Sequence, residues 1–237
     1  MVRASLAAKA SAARKQASMR FFKTGPGDYG EGDVFIGVSV PDVRAVVKLH
    51  RAVSLDTMEA LLVSRVHEER LAALLLMVSR FQRSKDEREK QAVFDLYMRS
   101  LERVNNWDLV DSSAPYIVGA WLASRSRKPL RTLARSPHLW SRRVAMLACF
   151  HFIKNGEHDD ALALAEALVS DEQDLMHKAV GWMLREIGEH GGESELVGFL
   201  GKHASRMPRT MLRYAIEKFP EADRKRWLSA PRTRPSL

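Results

Sequence analysis

The 237-residue chain has a single cysteine, Cys149, so no internal disulfide framework can form and a reducing compartment fits the composition. Cys149 lies in the apolar run from Val144 to Phe150 and reads as core. The eight histidines are scattered without the spacing of metal ligands, so no zinc or iron site is expected. No apolar run approaches the roughly 18 residues that cross a bilayer, and no secretory signal opens the chain, so no membrane association is expected. The glycine-rich segment from Phe22 to Gly37 lacks the GKS or GKT ending of a phosphate-binding loop and does not follow a strand, which excludes a nucleoside-triphosphate site. It reads as a structured turn feeding the helix that Pro41 begins.

Acidic residues are also missing over a long interval. From Ser112 to Gly156 there is no Asp or Glu, while eight basic residues (Arg125, Arg127, Lys128, Arg131, Arg135, Arg142, Arg143, Lys154) accumulate, and Asp111 stands at the edge of this field. A polyanion held by the basic segment and a developing positive charge met by the carboxylate would satisfy both charges. The formal charge of +9 and pI near 9.9 point the same way, with nucleic acid preferred over an acidic membrane surface. The acids collect elsewhere: Glu157 to Glu195 holds eleven of them against two bases, Lys178 and Arg185. Lys202 to Arg234 then carries ten bases against three acids.

What is present is helical periodicity and almost nothing else. Leu71, Leu74, Leu75, Val78 and Phe81 share one helical face, as do Trp140, Val144, Leu147, Ala148 and Phe152, and no strand alternation appears. About a dozen helices are expected, with long ones of roughly 15 residues starting near His67, His138 and Gln173, each followed by a shorter partner. Arg70, Trp107, Arg143, Trp182 and Arg213 are separated by 37, 36, 39 and 31 residues, near the period of a helical-pair solenoid, whose repeats line one concave face. Residues 1–23 contain six bases and no acid. They read either as an organellar targeting segment or as one amphipathic helix with Leu6, Ala10, Ala13, Ala17 and Phe21 on a face.

The residues that carry chemistry follow from spacing. Trp107 and Asp111 are four apart, which puts an indole and a carboxylate on one helical face, with Asp108 pointing elsewhere. The plain alternative is a core tryptophan and an aspartate that caps a helix starting near Ser113. Trp182 shares its face with Lys178 and Arg185, an arrangement suited to a phosphate- or sugar-facing surface. Trp140 reads as core and Arg143 as a phosphate ligand, since guanidinium forks match phosphate oxygens. Arg142, Arg209, Arg213 and Tyr29 are further nucleic-acid contacts in this reading.

The separated segments RFFKTGPGDYGEGDVFIGVSVPDVR, NNWDLVDSSAPYIVG, LWSRRVAML, HKAVGWMLRE and MPRTMLRYAIEKF, from about Arg20 to Phe219, together resemble the AlkD-like DNA alkylation-repair glycosylases. The resemblance implies an all-α fold, an α-solenoid of about six HEAT-like helical pairs with a concave basic groove. It also implies a single domain over 1–237, and the chain's own composition adds a basic N-terminal helix over 1–20 and a disordered tail over 230–237. The implied activity is monofunctional removal of cationic alkylated purines, chiefly 3-methyladenine and 7-methylguanine, from duplex DNA without a cofactor. Carried over by position, the catalytic aspartate is Asp111, the aromatic pair is Trp107 and Trp182, and the phosphate-directed arginine is Arg143. The expected convergence of two indoles and one carboxylate beside a sugar suits the chemistry, because an alkylated purine already carries the charge that loosens its glycosidic bond. No pocket signature is legible, and the resemblance implies a lesion held through its backbone without full flipping. A monomer in the cytoplasm, at the nucleoid, is expected, with an organelle as the alternative. Two other readings remain: a non-catalytic helical scaffold that binds DNA or protein, and a glycosylase with a lyase step through Lys178.

Overall fold

The computed structural model describes residues 1–229; the segment 230–237, expected to be disordered, lies outside the described residues. Two compact units are present, Met1–Ile117 and the residues from Val118 on, and each is built from helices alone apart from one isolated parallel bridge between Val34 and Val66.

The first unit comprises α1 (Val2–Ala7), α2 (Ala12–Phe21), α3 (Val40–Leu49), α4 (Leu55–Leu62), α5 (His67–Arg83), α6 (Glu87–Arg99) and α7 (Trp107–Asp111). Ser11, Ser39, Ser54 and Asp86 each accept a backbone N–H from the first turn of the helix that follows, satisfying donors a helix cannot pair within itself. Helix α5 is the hub, with α1, α3, α4, α6 and α7 packed on it. Its run Leu71–Met77 is buried without interruption, as befits the apolar stretch of a helix packed by five neighbours.

The single amphipathic helix expected over residues 1–20 is in fact two, α1 and α2. The Ser11 amide donates to the Ile36 carbonyl at 3.1 Å, so the returning loop takes a backbone donor that would have continued α1, and Arg14 Nε of α2 donates to the Gly37 carbonyl at 3.0 Å. Gly37 has φ +80°, and a Cβ there would lie 2.1 Å from the Ser11 carbonyl oxygen, which leaves glycine as the residue that fits. Across the same loop Glu68 accepts from the amides of Ile36, Gly37 and Val38, pairing donors that would otherwise be buried unsatisfied.

The second unit holds α8 (Ala120–Leu122), α9 (Lys128–Ala134), α10 (Leu139–Ile153), α11 (Asp159–Ala167), α12 (Asp174–Glu189), α13 (Glu193–His203), α14 (Arg209–Ala215) and α15 (Glu221–Ser229). Helices α9, α11 and α12 pack on α10, and α13 and α14 on α12. Cys149 and Trp140 are core residues, as expected, and burial pushes the Cys149 thiol well above its ordinary range. The long helices α5, α10 and α12 begin at or one residue after His67, His138 and Gln173, as the periodicity predicts.

A repeated local device marks these three helices. Arg70, Arg142 and His177, each the fourth residue of its helix, donate back to the carbonyl six residues earlier, those of Ser64, Ser136 and Asp171. The structural register therefore runs through Arg142 and His177, whereas Arg143 and Trp182 occupy the fifth and ninth positions of their helices. Matching residues by type rather than by distance from the helix start accounts for the difference.

Candidate active site

Helix α7 is only five residues long, opened by Asn106, whose side-chain oxygen accepts the Trp107 amide at 2.8 Å. Its Trp107 and Asp111 line one cleft of about 600 Å³ in the first unit, although the sequence carries no pocket signature. Phe21, Val40, Leu71, Leu75 and Val78 form the apolar wall; Arg44, Gln82, Ser112 and Tyr116 complete the rim. Aromatic rings brace the indole: Phe22 stacks on Trp107 with centroids 5.4 Å apart, and Phe21 meets it edge-on at 5.8 Å. Phe21 is 65% exposed, so it forms a lip of the cleft and not part of a core. The phenylalanine pair had no assigned role in the sequence, where its only signal is two adjacent aromatics beside a basic, glycine-rich stretch.

Asp108 departs from the expectation that it points elsewhere. It lines the same cleft while its Oδ2 accepts from His67 Nε2 at 2.8 Å. The opposite ring nitrogen, Nδ1, donates to Asp33 Oδ2 at 3.0 Å, and Asp33 Oδ1 accepts from Arg70 Nη2 at 2.6 Å. An imidazole bonded to carboxylates through both nitrogens is a double donor, hence protonated. Burial opposes that charge, but the bond to Asp108, supported by Asp33, prevails and raises the His67 pKa to about 9. Burial likewise opposes ionisation of Asp33, and the bond from His67 together with the Arg70 guanidinium outweighs it and lowers that carboxyl. Two cations and two anions thus balance in the interior, as buried charges must. Phe22 and Phe35 lie 4.9 and 4.5 Å from the imidazole, adding aromatic faces to the cation. The cluster fastens the first turn of α7 to α5 and to the glycine-rich loop.

Trp182 and Arg143 belong to the second unit. Gly181 lets α14 approach α12, since a Cβ there would lie 2.4 Å from the Met211 carbonyl oxygen. Beside it Trp182 is half-buried, donates its Nε1–H to Glu186 Oε1 at 2.8 Å, and lies 6.0 Å from the Phe150 ring. The two bases on its face are not a bare cationic pair: Lys178 bridges to Asp174 at 2.7 Å, and Arg185 bridges to Glu186 at 2.9 Å and to Glu217. Burial disfavours the Arg185 charge, but these carboxylates raise its pKa further. Arg143 is 4% exposed and donates Nη1–H to the Leu175 carbonyl at 2.6 Å. Arg142 meets Asp171 at 2.6 and 3.3 Å and the Ser136 and Pro137 carbonyls with Nη1.

The basic field of residues 112–156 is therefore partly neutralised from outside its own interval. Arg127 bridges Glu157 and Asp160, with its guanidinium 3.8 Å from the Phe152 ring. Arg125, Lys128, Arg131, Arg135 and Lys154 remain exposed. Arg209 donates to the Leu228 carbonyl, Arg213 is exposed, and Tyr29 bonds the Phe21 carbonyl at 3.4 Å. Among the described residues no cluster of three potential metal ligands occurs, and no helix is long and apolar enough to cross a membrane.

No curated protein matches this chain. A solved structure, described as a predicted DNA alkylation repair enzyme from Enterococcus faecalis, superimposes with a TM-score of 0.69 at 18% identity, covering 90% of this chain and 98% of that one; likeness at that identity establishes the fold. The family described as DNA alkylation repair enzyme matches residues 2–219, and with this agreement from its first helix to the end of the motif at Phe219, the chain belongs to that family.

Proposed function

We propose that the chain is a monofunctional DNA glycosylase that hydrolyses the N-glycosidic bond of cationic alkylated purines, with 3-methyladenine and 7-methylguanine as its substrates in duplex DNA. The observation that carries the reading is the placement of an indole and a carboxylate, Trp107 and Asp111, on the wall of one cleft, in a chain whose family repairs alkylated DNA. N-alkylation leaves a formal positive charge on the purine, which departs as a neutral base when the bond to C1′ breaks. No general acid is needed to protonate it. The deoxyribose then carries oxocarbenium character, which Asp111 stabilises while it orients a water and accepts its proton as the water adds to C1′. The face of Trp107 offers its negative quadrupole to the same sugar, held in orientation by Phe21 and Phe22.

The resemblance assigns Trp182 and Arg143 to the same reaction, as a second aromatic and a phosphate ligand. Release of free 7-methylguanine from methylated duplex DNA tests the proposal. Asp111→Asn is expected to lower the single-turnover rate by two to three powers of ten, about 3–4 kcal/mol, the range measured when a preorganised charge-stabilising group is removed elsewhere. Binding of the same DNA should be retained. Equal loss of binding and excision would remove Asp111 from the chemistry. Borohydride trapping on alkylated DNA is expected to yield no covalent adduct.

A further inference from the structure

Several of the bases that the sequence puts forward are engaged within the protein, and exposed bases also stand in a place the sequence does not advertise. Arg142 is committed to Asp171, Arg185 to Glu186 and Glu217, and Lys178 to Asp174. By contrast, the side chains of Arg44, Lys48 and Arg51 are exposed and make no ion pair or hydrogen bond among the described residues. They stand at intervals of four and three along α3 and the turn that ends it, so they form one row.

Two clefts in the first unit connect this row to the candidate active site. Arg44 borders the cleft of Trp107 and Asp111. It also borders a neighbouring cleft of about 360 Å³ lined by Lys48, Arg51 and Arg83, and the two clefts share Leu75, Val78 and Gln82 of α5. No carboxylate lines the second cleft. The acids of α3 and α5 are engaged elsewhere, Asp42 with Lys9, Glu68 with the loop amides and Glu69 with Arg3; Glu89, which shares a further cleft with Arg51, is held by Arg80 and Ser84, and Asp108, in the first cleft with Arg44, by His67. Arg83 has its own task, donating Nη2–H to the Arg51 carbonyl and Nε–H to the Ser79 carbonyl, which fixes the turn that presents Arg51.

We propose that Arg44, Lys48 and Arg51 form a phosphate-binding row that grips the DNA backbone beside the nucleotide held at Trp107 and Asp111. At 1.5 Å of rise per residue the row extends about 10 Å, a length over which one strand of a duplex presents about three phosphates. Side chains without internal partners meet a polyanion without first breaking an ion pair. The row supplies position and affinity, not sequence selectivity, because phosphates carry no base information. This inference rests on reading the chain as an enzyme of duplex DNA, and it does not depend on which bond is broken.

The test is the salt dependence of binding to an undamaged duplex. Removing three phosphate contacts should lower the slope of log K against log salt by about 2.7, at about 0.9 per contact. The triple variant Arg44→Ala, Lys48→Ala, Arg51→Ala is compared with wild type and with Arg224→Ala, Lys225→Ala, Arg226→Ala, which removes the same net charge from α15. All six side chains lie on the surface, where substitution shifts stability little, and circular dichroism confirms folding. A slope lowered by about 2.7 in the first variant and by less than one in the second supports the row. Equal slopes in the two variants, or a loss of binding to phosphatidylserine vesicles with the DNA slope unchanged, overturns it. Release of 7-methylguanine, assayed separately, separates the two readings: excision with an unchanged slope refutes the row alone, and a lowered slope without excision in wild type refutes the glycosylase alone.

Discussion

The two units use the same residue types for different ends. In the first, an arginine, a histidine and an aspartate are buried and a second aspartate is half-buried to hold a short helix, and Trp107 and Asp111 are left facing a cleft. In the second, Trp182 and its neighbouring bases are tied to carboxylates, so its cations serve packing and helix entry before anything else. The contrast teaches that a cation near a tryptophan is informative only once its counter-ion is known. A base with an anchored acid has already found its electrostatic partner, and exposed acids contribute little free energy even when they are found.

The largest effect should come from breaking the interior cluster. His67→Leu leaves Asp33 and Asp108 without their shared donor, and loss of one member of a buried charge network costs about 3–5 kcal/mol, to be read from urea unfolding midpoints. The pH profile gives the sign. Because the folded pKa of His67, about 9, lies above its ordinary 6.5, the stability it contributes is complete below pH 6.5 and is lost as pH rises through 9. Wild-type stability should decline over that interval and the His67→Leu profile should be flat there; parallel profiles would place the charge elsewhere.

Next in size is Asp108→Asn, which keeps the shape of the side chain but removes the charge facing His67. It should lower the excision rate by about tenfold through misplacement of α7, while lowering the upper limit of the stability plateau toward neutral pH. An unchanged pH profile would separate Asp108 from the cluster. In the second unit the adjacent arginines provide a sharper cut. Arg143→Ala should lower the salt slope of DNA binding by about one, and Arg142→Ala should leave the slope unchanged because Asp171 and two carbonyls hold its donors. An unchanged slope for Arg143→Ala would take Arg143 out of the DNA contact. The smallest effect is expected for Arg185→Ala, whose salt slope should match wild type within error; a full unit of loss there would mean that DNA displaces Glu217.

Much of the fold was legible because its signals are local. The starts of α5, α10 and α12 follow from apolar periodicity within one helix, and Trp140 and Cys149 sit in runs that only an interior would host. The division of residues 1–21 into α1 and α2 was hidden because the groups that cause it, Ile36 and Gly37, lie more than 20 residues away. Site residues divide along the same line. That Trp107 and Asp111 share a face follows from their spacing within one helical turn, and both line one cleft, whereas Asp108 gains its partner from His67, 41 residues away, and Arg127 loses part of its apparent availability to Glu157 and Asp160. The row along α3 and the turn that ends it is not legible in the sequence, because three spaced bases look like any solvated face until the engagements of the neighbouring acids are known.

The back-donation shared by Arg70, Arg142 and His177 has a consequence for how the molecule comes apart. Each bond closes inside a single entry turn, so each long helix carries its own latch. Stability assembled from such nearest-neighbour elements can be breached piecemeal. Replacing one latch should hasten deuterium uptake at the amides of that helix's opening turns and leave the other two helices as slow as before, giving the chain a graded series of openings in place of one cooperative melt.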